Sequence, residues 1–383
     1  MEGRSPGEAR QRQAGASQRM PPPRLAGYRV ALISACPGSR VSGHSGVGHI
    51  VDAIIEFLIK LVAQFQSPTL AFLLGGMVIA ALKSKLQIPQ PIYQFIVFML
   101  LMRIGLNGGM KIRDANFLEM VPMIVATVLL GIGMVLLGRM VLSWLPGVKR
   151  ADGIATAGLF SAVSASTLAA GTVSLEESGL TYEGWVAALY PFMDIPALVT
   201  AIVLANLAEA KQDGTAREKV RIWPIVKQSL RGSALSALLL GMALGLFSKP
   251  ESVFDGLYDP LFRGLLSILM LIMGIEAYER LSELRKVAHW FAIYAAIAPI
   301  VHGLLAFGLG SLAHLFFGFS PGGIVLFAIL AASNSDVSGP PTLRAGIPAA
   351  NPSAYIGAST SVGTPVAIAI CIPLFIGMAQ ALF

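Results

Sequence analysis

Apolar runs recur along the chain at about 55–82, 91–106, 117–143, 153–174, 184–208, 226–247, 260–276, 287–316, 321–341 and 354–381. Roughly 20 apolar residues in a helix cross the hydrocarbon core of a bilayer, so this pattern predicts an all-α membrane protein of about ten transmembrane helices. The first run opens amphipathically, with Asp52, Glu56 and Lys60, and becomes purely apolar only after Pro68. Its beginning is therefore expected to lie along the interface. Residues 1–48, rich in Arg, Gly, Pro and Ser, show no apolar period and are expected to be disordered. Two runs are interrupted by polar residues, the fourth at Ser161-Ala162-Val163-Ser164-Ala165-Ser166-Thr167 and the ninth at Ser333-Asn334-Ser335-Asp336-Val337-Ser338-Gly339-Pro340-Pro341. Lipid offers a broken helix no hydrogen bonds, so such breaks are tolerated only where they line a cavity inside the protein.

The two interruptions correspond. A shift of 169 positions lays Ser164 on Ser333, Ser166 on Ser335, Gly105 on Gly274 and Pro196 on Pro365. In the opening spans an offset of 166 pairs Ser67 with Ser233, Ala71 with Ala237, Leu73 with Leu239, Gly75 with Gly241 and Lys83 with Lys249. Five spans per half is an odd number, so the second half enters from the opposite face. The expected architecture is two inverted five-helix repeats with broken, crossing helices 4 and 9 and a binding site at their interface. The segments are a basic tail at 1–48, a first repeat at 49–208, a cytoplasmic linker at 209–225 and a second repeat at 226–383.

Composition sharpens this reading. Hydrophobic residues make up 55% of the chain and charged ones 13%, about half the charge of an ordinary soluble domain. The net charge of +7 does not point to nucleic acid: seven arginines (Arg4, Arg10, Arg12, Arg19, Arg24, Arg29 and Arg40) face only Glu2 and Glu8 in the first 40 residues. Cys36 and Cys371 imply neither a disulfide framework nor a metal site. The run before Cys36 is about six residues, short of the 7–15 of a signal peptide. Lys83, Lys85, Lys149, Arg150, Lys211, Arg217, Lys219, Arg221, Arg280, Arg285, Lys286 and Arg344 occupy one alternate set of loops, and Lys111, Arg113 and Lys249 the other. Twelve against three makes the linker side cytoplasmic. With ten spans both termini then face outside. The basic tail is on the wrong side: either it is translocated, or the natural start lies near Val47 or Val51.

Candidate chemistry concentrates at the breaks. A helix broken at Ser164–Thr167 exposes N–H groups at a half-helix N-terminus, suited to a small anion, and the hydroxyls add donors without charge. Close packing of small residues is the plain alternative. Asp336 is a carboxylate at membrane depth, with a structural pair to Arg344 as its plain alternative. Pro340-Pro341 frees upstream carbonyls as hard ligands for a small cation. Asp194, between Pro191 and Pro196, is expected in one layer with Ser359, Ser361 and Thr364, as a sodium ligand or coupling acid or else a helix-to-helix hydrogen bond. Glu276 reads as an edge charge, His302 as a satisfied core histidine, and Arg103, Arg139 and Arg263 as snorkelling side chains. Gly75-Gly76 and Gly108-Gly109 lack the context of a phosphate loop, so ATP drive is not supported. An intramembrane aspartyl protease is disfavoured because the repeat pairs Asp194 with Gly363 and Asp336 with Thr167. A scaffold or receptor would not need two broken helices.

From about Val51 onward, more than four-fifths of its length, the chain closely resembles the cyanobacterial sodium-dependent bicarbonate symporters of the SbtA type. The stretches that carry this are Gln66-Ser-Pro-Thr-Leu-Ala-Phe-Leu-Leu-Gly-Gly-Met77, Leu189-Tyr-Pro-Phe-Met-Asp-Ile-Pro-Ala-Leu-Val-Thr200, Ser338-Gly-Pro-Pro-Thr-Leu-Arg-Ala-Gly-Ile-Pro348 and Asn351-Pro-Ser-Ala-Tyr-Ile-Gly-Ala-Ser-Thr360. The resemblance implies a trimeric, multi-pass plasma-membrane symporter that feeds a CO2-concentrating mechanism. Sodium is co-transported and no other cofactor is expected. It also implies a PII-like regulatory protein, SbtB, on the cytoplasmic face. Bicarbonate is expected at Ser164, Ala165, Ser166, Thr167, Ser333, Asn334, Ser335 and Ser338, and sodium at Asp194, Asp336, Ser335, Thr364 and Ser359. In that scheme sodium binds first and lowers the cost of placing an anion beside two carboxylates. A transporter or antiporter of another small anion is the alternative on the same fold. The basic tail and the short loop at 209–222 depart from the family pattern.

Overall fold

The computed structural model describes residues 67–113, 117–212, 222–287 and 289–383. The segment 1–48, the stretch holding Asp52, Glu56 and Lys60, and linker residues 213–221 lie outside the described residues. Among those described, every regular element is helical: α1 (Pro68–Ala81), α2 (Gln90–Arg113), α3 (Phe117–Ser143), α4 (Arg150–Ser161), α5 (Ala165–Glu177), α6 (Tyr190–Gln212), α7 (Ile222–Leu230), α8 (Ser233–Phe247), α9 (Asp259–Leu284), α10 (Trp290–Phe317), α11 (Pro321–Ala332), α12 (Gly339–Gly346) and α13 (Pro352–Leu382). Seven helical stretches are long and apolar enough to cross a membrane, counting α4 with α5. The α7–α8 pair gives an eighth, and α1 and α11 are shorter apolar helices.

Local chemistry sets the ends. Ser67 accepts from Leu70 N–H and Pro68 follows it, so α1 starts with an acceptor for an orphan donor and a residue that has none to lose. Ser320 and Pro321 repeat the arrangement at α11. Gly318, in the left-handed region at φ 71°, closes α10. The run read as one span at 226–247 is instead bent by 70°, between α7 and α8. Lys227, Arg231, Ile222 and Trp223 are all exposed, so α7 lies along the surface of the bundle that α8 packs into.

Two helix pairs approach closely enough for their backbones to touch. In α2, a Cβ on Gly105 would strike the Leu238 carbonyl of α8, and one on Gly241 would sit 2.8 Å from the Met102 carbonyl. In α9, a Cβ on Gly274 would strike the Leu73 carbonyl of α1, and one on Gly76 the Leu271 carbonyl. Small residues permit such contact where lipid gives no hydrophobic drive to associate. The contacts also fix a register. Gly105 meets Leu238 and Met242 as Gly274 meets Leu73 and Met77, so α8 corresponds to α1 at an offset of 165, not 166. Burial agrees: Thr69, Leu70, Leu73 and Gly76 in α1 match Ala234, Leu235, Leu238 and Gly241 in α8. One residue is 100° of helix rotation. Letter matches among Ala, Leu and Gly are frequent by chance, and only the side facing the partner helix decides.

These pairs flank a buried centre. The span of α4 with α5 is buried throughout its apolar window, and α11 is buried from Gly322 to Ala332. α4 packs on α3 and α6, and α11 on α10 and α13, so both polar breaks lie inside the fold.

A methyl added at Gly75 would meet nothing within 4 Å, whereas one added at Gly76 would meet the backbone of α9. Gly76→Ala is therefore expected to cost about 1–3 kcal/mol in detergent unfolding measurements. Gly75→Ala should be neutral or slightly stabilising, by up to about 1 kcal/mol. The reverse order would refute the 165 register.

Candidate functional site: two broken helices and a carboxylate

α4 ends at Ser161 and α5 begins after Ser164, with Ala162 and Ser164 extended between them. α11 ends at Ala332, Ser333 is extended, and α12 starts at Gly339. The breaks tie to each other: Ser164 N–H donates to Ser333 Oγ at 3.0 Å, and Ser335 N–H to the Leu159 carbonyl at 3.0 Å. Each break thus supplies partners that the other lost when its helix stopped.

The first turn of α5 holds a carboxylate. Asp336 Oδ1 accepts from Ala165 N–H at 3.2 Å, and Oδ2 from Ser166 N–H at 3.3 Å. Oδ2 also accepts from the hydroxyls of Ser164 at 3.0 Å and Ser166 at 2.5 Å. Thr167 N–H is taken by Ser164 Oγ at 3.1 Å. The positive end of a helix, two amides and two hydroxyls all favour a negative charge here. Among the described residues Asp336 makes no ion pair with Arg344. The carboxylate of Asp336 itself thus occupies the turn where the sequence leads one to expect an anion beside it.

Asp194 is fully buried and bridges both breaks, accepting from Val163 N–H and from Ser338 Oγ, each at 3.0 Å. Ser338 in turn meets Ser335 Oγ at 2.9 Å, and Ser335 Oγ accepts from Gly339 N–H at 2.8 Å. Tyr190, which sequence reasoning passed over, donates to the Val163 carbonyl at 3.1 Å. Ser359 and Thr364 both donate to Asn334 Oδ1, at 2.5 and 2.8 Å, while Ser361 turns back to its own helix at the Gly357 carbonyl. Five residues on an α-helix are about 140° apart. The π-turn at Ser359–Gly363 is what brings both hydroxyls to one amide. Thr167 Oγ1 and Asn334 Nδ2 are buried without a partner among the described residues.

The outer residues divide. His302 is buried with Nδ1 at 3.0 Å from the Phe160 carbonyl, one that α4 leaves free at its end. Glu276 lines a cavity of about 730 Å³ that reaches Asp336 and opens among Lys227, Arg231, Arg280 and Arg344. Arg263 is exposed and reaches Glu177 at 3.4 Å, and Arg139 is exposed. Arg103 does not snorkel. It is buried, pairs with Asp259 at 2.7 Å and Glu176 at 3.0 Å, and lies 4.2 Å from the centre of the Phe262 ring. Two carboxylates and a ring at its own depth replace the water it would otherwise seek.

Asp194→Ala leaves the Val163 amide and Ser338 hydroxyl without their acceptor, and is expected to lower unfolding free energy in mixed micelles by about 2–4 kcal/mol. Ser361→Ala, which loses only a bond within its own helix, should stay within about 0.5 kcal/mol. Equal losses would mean that Asp194 does not hold the breaks together.

A family model described as the Na+-dependent bicarbonate transporter superfamily matches residues 68–380. Among curated proteins no match was found.

Proposed function

Taking as premise that the chain belongs to the Na+-dependent bicarbonate transporter superfamily, we propose that it imports bicarbonate by sodium-coupled symport, with the first turn of α5 as the anion cradle. The observation that carries this is Asp336 itself. Bicarbonate presents the same planar, singly charged O–C–O group as an aspartate side chain. A turn that binds that group through two amides and two hydroxyls has the donors bicarbonate requires. Carboxylate and bicarbonate cannot share one set of donors. Sodium, attracted to Asp336 and to hydroxyl and carbonyl oxygens around Ser335, Asn334, Ser359 and Thr364, draws the carboxylate off and leaves the cradle to the substrate. Anion binding is then conditional on the cation, which is what coupling requires.

The matched contacts of α2 with α8 and of α9 with α1 support two inverted five-helix repeats, ten spans in all. The basic loops support a cytoplasmic linker with both termini outside. A cavity that reaches Asp336 from among those basic residues fits an inward-open state of an alternating-access cycle. A homotrimer in a cyanobacterial plasma membrane, a role in CO2 concentration and a PII-like regulator on the cytoplasmic face belong to the same reading and follow from family resemblance. A small carboxylate such as formate shares the O–C–O group and is the rival substrate.

The test uses proteoliposomes and labelled bicarbonate with an inward gradient of sodium or of potassium. Accumulation with sodium alone supports symport, and stronger competition by formate than by bicarbonate would shift the substrate. Asp336→Ala separates the mechanism from simple ion ligation. Removing the competing carboxylate should leave bicarbonate binding independent of sodium while coupled uptake falls by about 100-fold or more, about 3 kcal/mol at 1.4 kcal/mol per tenfold. Normal sodium-dependent uptake by this variant would refute the assignment.

A further inference from the structure

The cavity leading to Asp336 carries more positive charge than a pathway for a single monoanion needs. Lys227 and the adjoining Arg231 come from the α7 end, Arg280 from α9 and Arg344 from α12, and all four line it. Against them stand two carboxylates, Glu276 and Asp336, and the second is held on α5. Arg280 also meets Glu283 at 3.1 Å, whereas Lys227, Arg231 and Arg344 form no ion pair among the described residues. Separate elements thus aim cations at one space of about 730 Å³, within the size range of small-molecule sites.

We propose that this vestibule is a second anion site, built for a multivalent phosphate-type oxyanion from the side of the basic loops, and that its filling blocks the way to the cradle. Arginine forks bind phosphate oxygens in pairs, and lysine adds a point charge. With Arg280 on Glu283 and Asp336 held by the donors of α5, Lys227, Arg231 and Arg344 against Glu276 leave a surplus of two, which suits an anion of two or more charges better than bicarbonate. The cradle cannot take such a ligand, because its donors surround one carboxylate group. The blocking half of the proposal rests on the transport reading; the existence of the site does not.

The probe is inorganic tripolyphosphate, titrated calorimetrically into the full chain in detergent without magnesium. Saturable binding at one site per chain is expected. Lys227→Gln with Arg231→Gln should weaken it by about tenfold or more, the equivalent of one to two lost charge-assisted contacts. Lys149→Gln with Arg150→Gln removes two basic residues from the same set of loops but outside this cavity. That pair should leave binding within about twofold, because neither residue lines the cavity and salt screens charges that make no direct contact. Absence of saturable binding, or equal weakening by both double variants, overturns the site. If the Lys227/Arg231 variant is not monodisperse, Arg344→Gln takes its place under the same criteria. Tripolyphosphate trapped inside proteoliposomes should then lower bicarbonate uptake by wild type and spare the cation variant. Binding without inhibition would overturn the block and keep the site. Failure of all bicarbonate uptake would count against the transport reading, with the calorimetric result unaffected.

Discussion

A helix that stops inside an apolar layer must find partners for its amides and carbonyls within the protein, and most of this fold follows from that constraint. Two helices stop at the same depth, and each break completes the other through Ser164 with Ser333 and Ser335 with Leu159. Asp194 fastens both from α6, and Tyr190 and His302 take carbonyls left over by the first. The amides still free at the start of α5 then require a negative charge, and Asp336 supplies it. The site is thus made of donors exposed where a helix restarts and of the carboxylate that meets them.

The frame around this centre is of a different kind. Where α2 crosses α8 and α1 crosses α9, glycines bring backbone against backbone, with no side chains to rearrange between them. Such contacts resist sliding, because a shift of one residue would bring a Cβ against a carbonyl. The centre is held by hydroxyls and carboxylates, which exchange partners at little cost when another donor or ion is present. Rigidity and adaptability are therefore assigned to separate helices.

Much of this was legible in the sequence. The apolar runs marked the helices, and the polar letters in runs four and nine marked the breaks, because lipid offers a broken helix no partners. Asp194, Asp336 and the hydroxyls around them were found for the same reason. What contacts what was not legible. Nothing local says that Asp336 reaches α5 instead of Arg344, or that Arg103 meets Asp259 and Glu176 across more than 70 residues of chain. The bend at Gly232 and the π-turn at Ser359–Gly363 depend on packing that a hydrophobicity pattern does not carry. The offset of 166 failed against 165 because identity of letters is blind to which side of a helix is covered.

The place of Asp336 also bears on electricity. With its carboxylate on α5, the empty cradle already holds one negative charge. In the proposed exchange, one sodium on the displaced carboxylate and one bicarbonate in its place leave the local charge unchanged. The membrane potential, which does about 2.3 kcal/mol of work per elementary charge per 100 mV, would then act alike on the empty and the loaded forms. A protein that carries its own stand-in for the cargo can return empty against the same voltage that it faced when full.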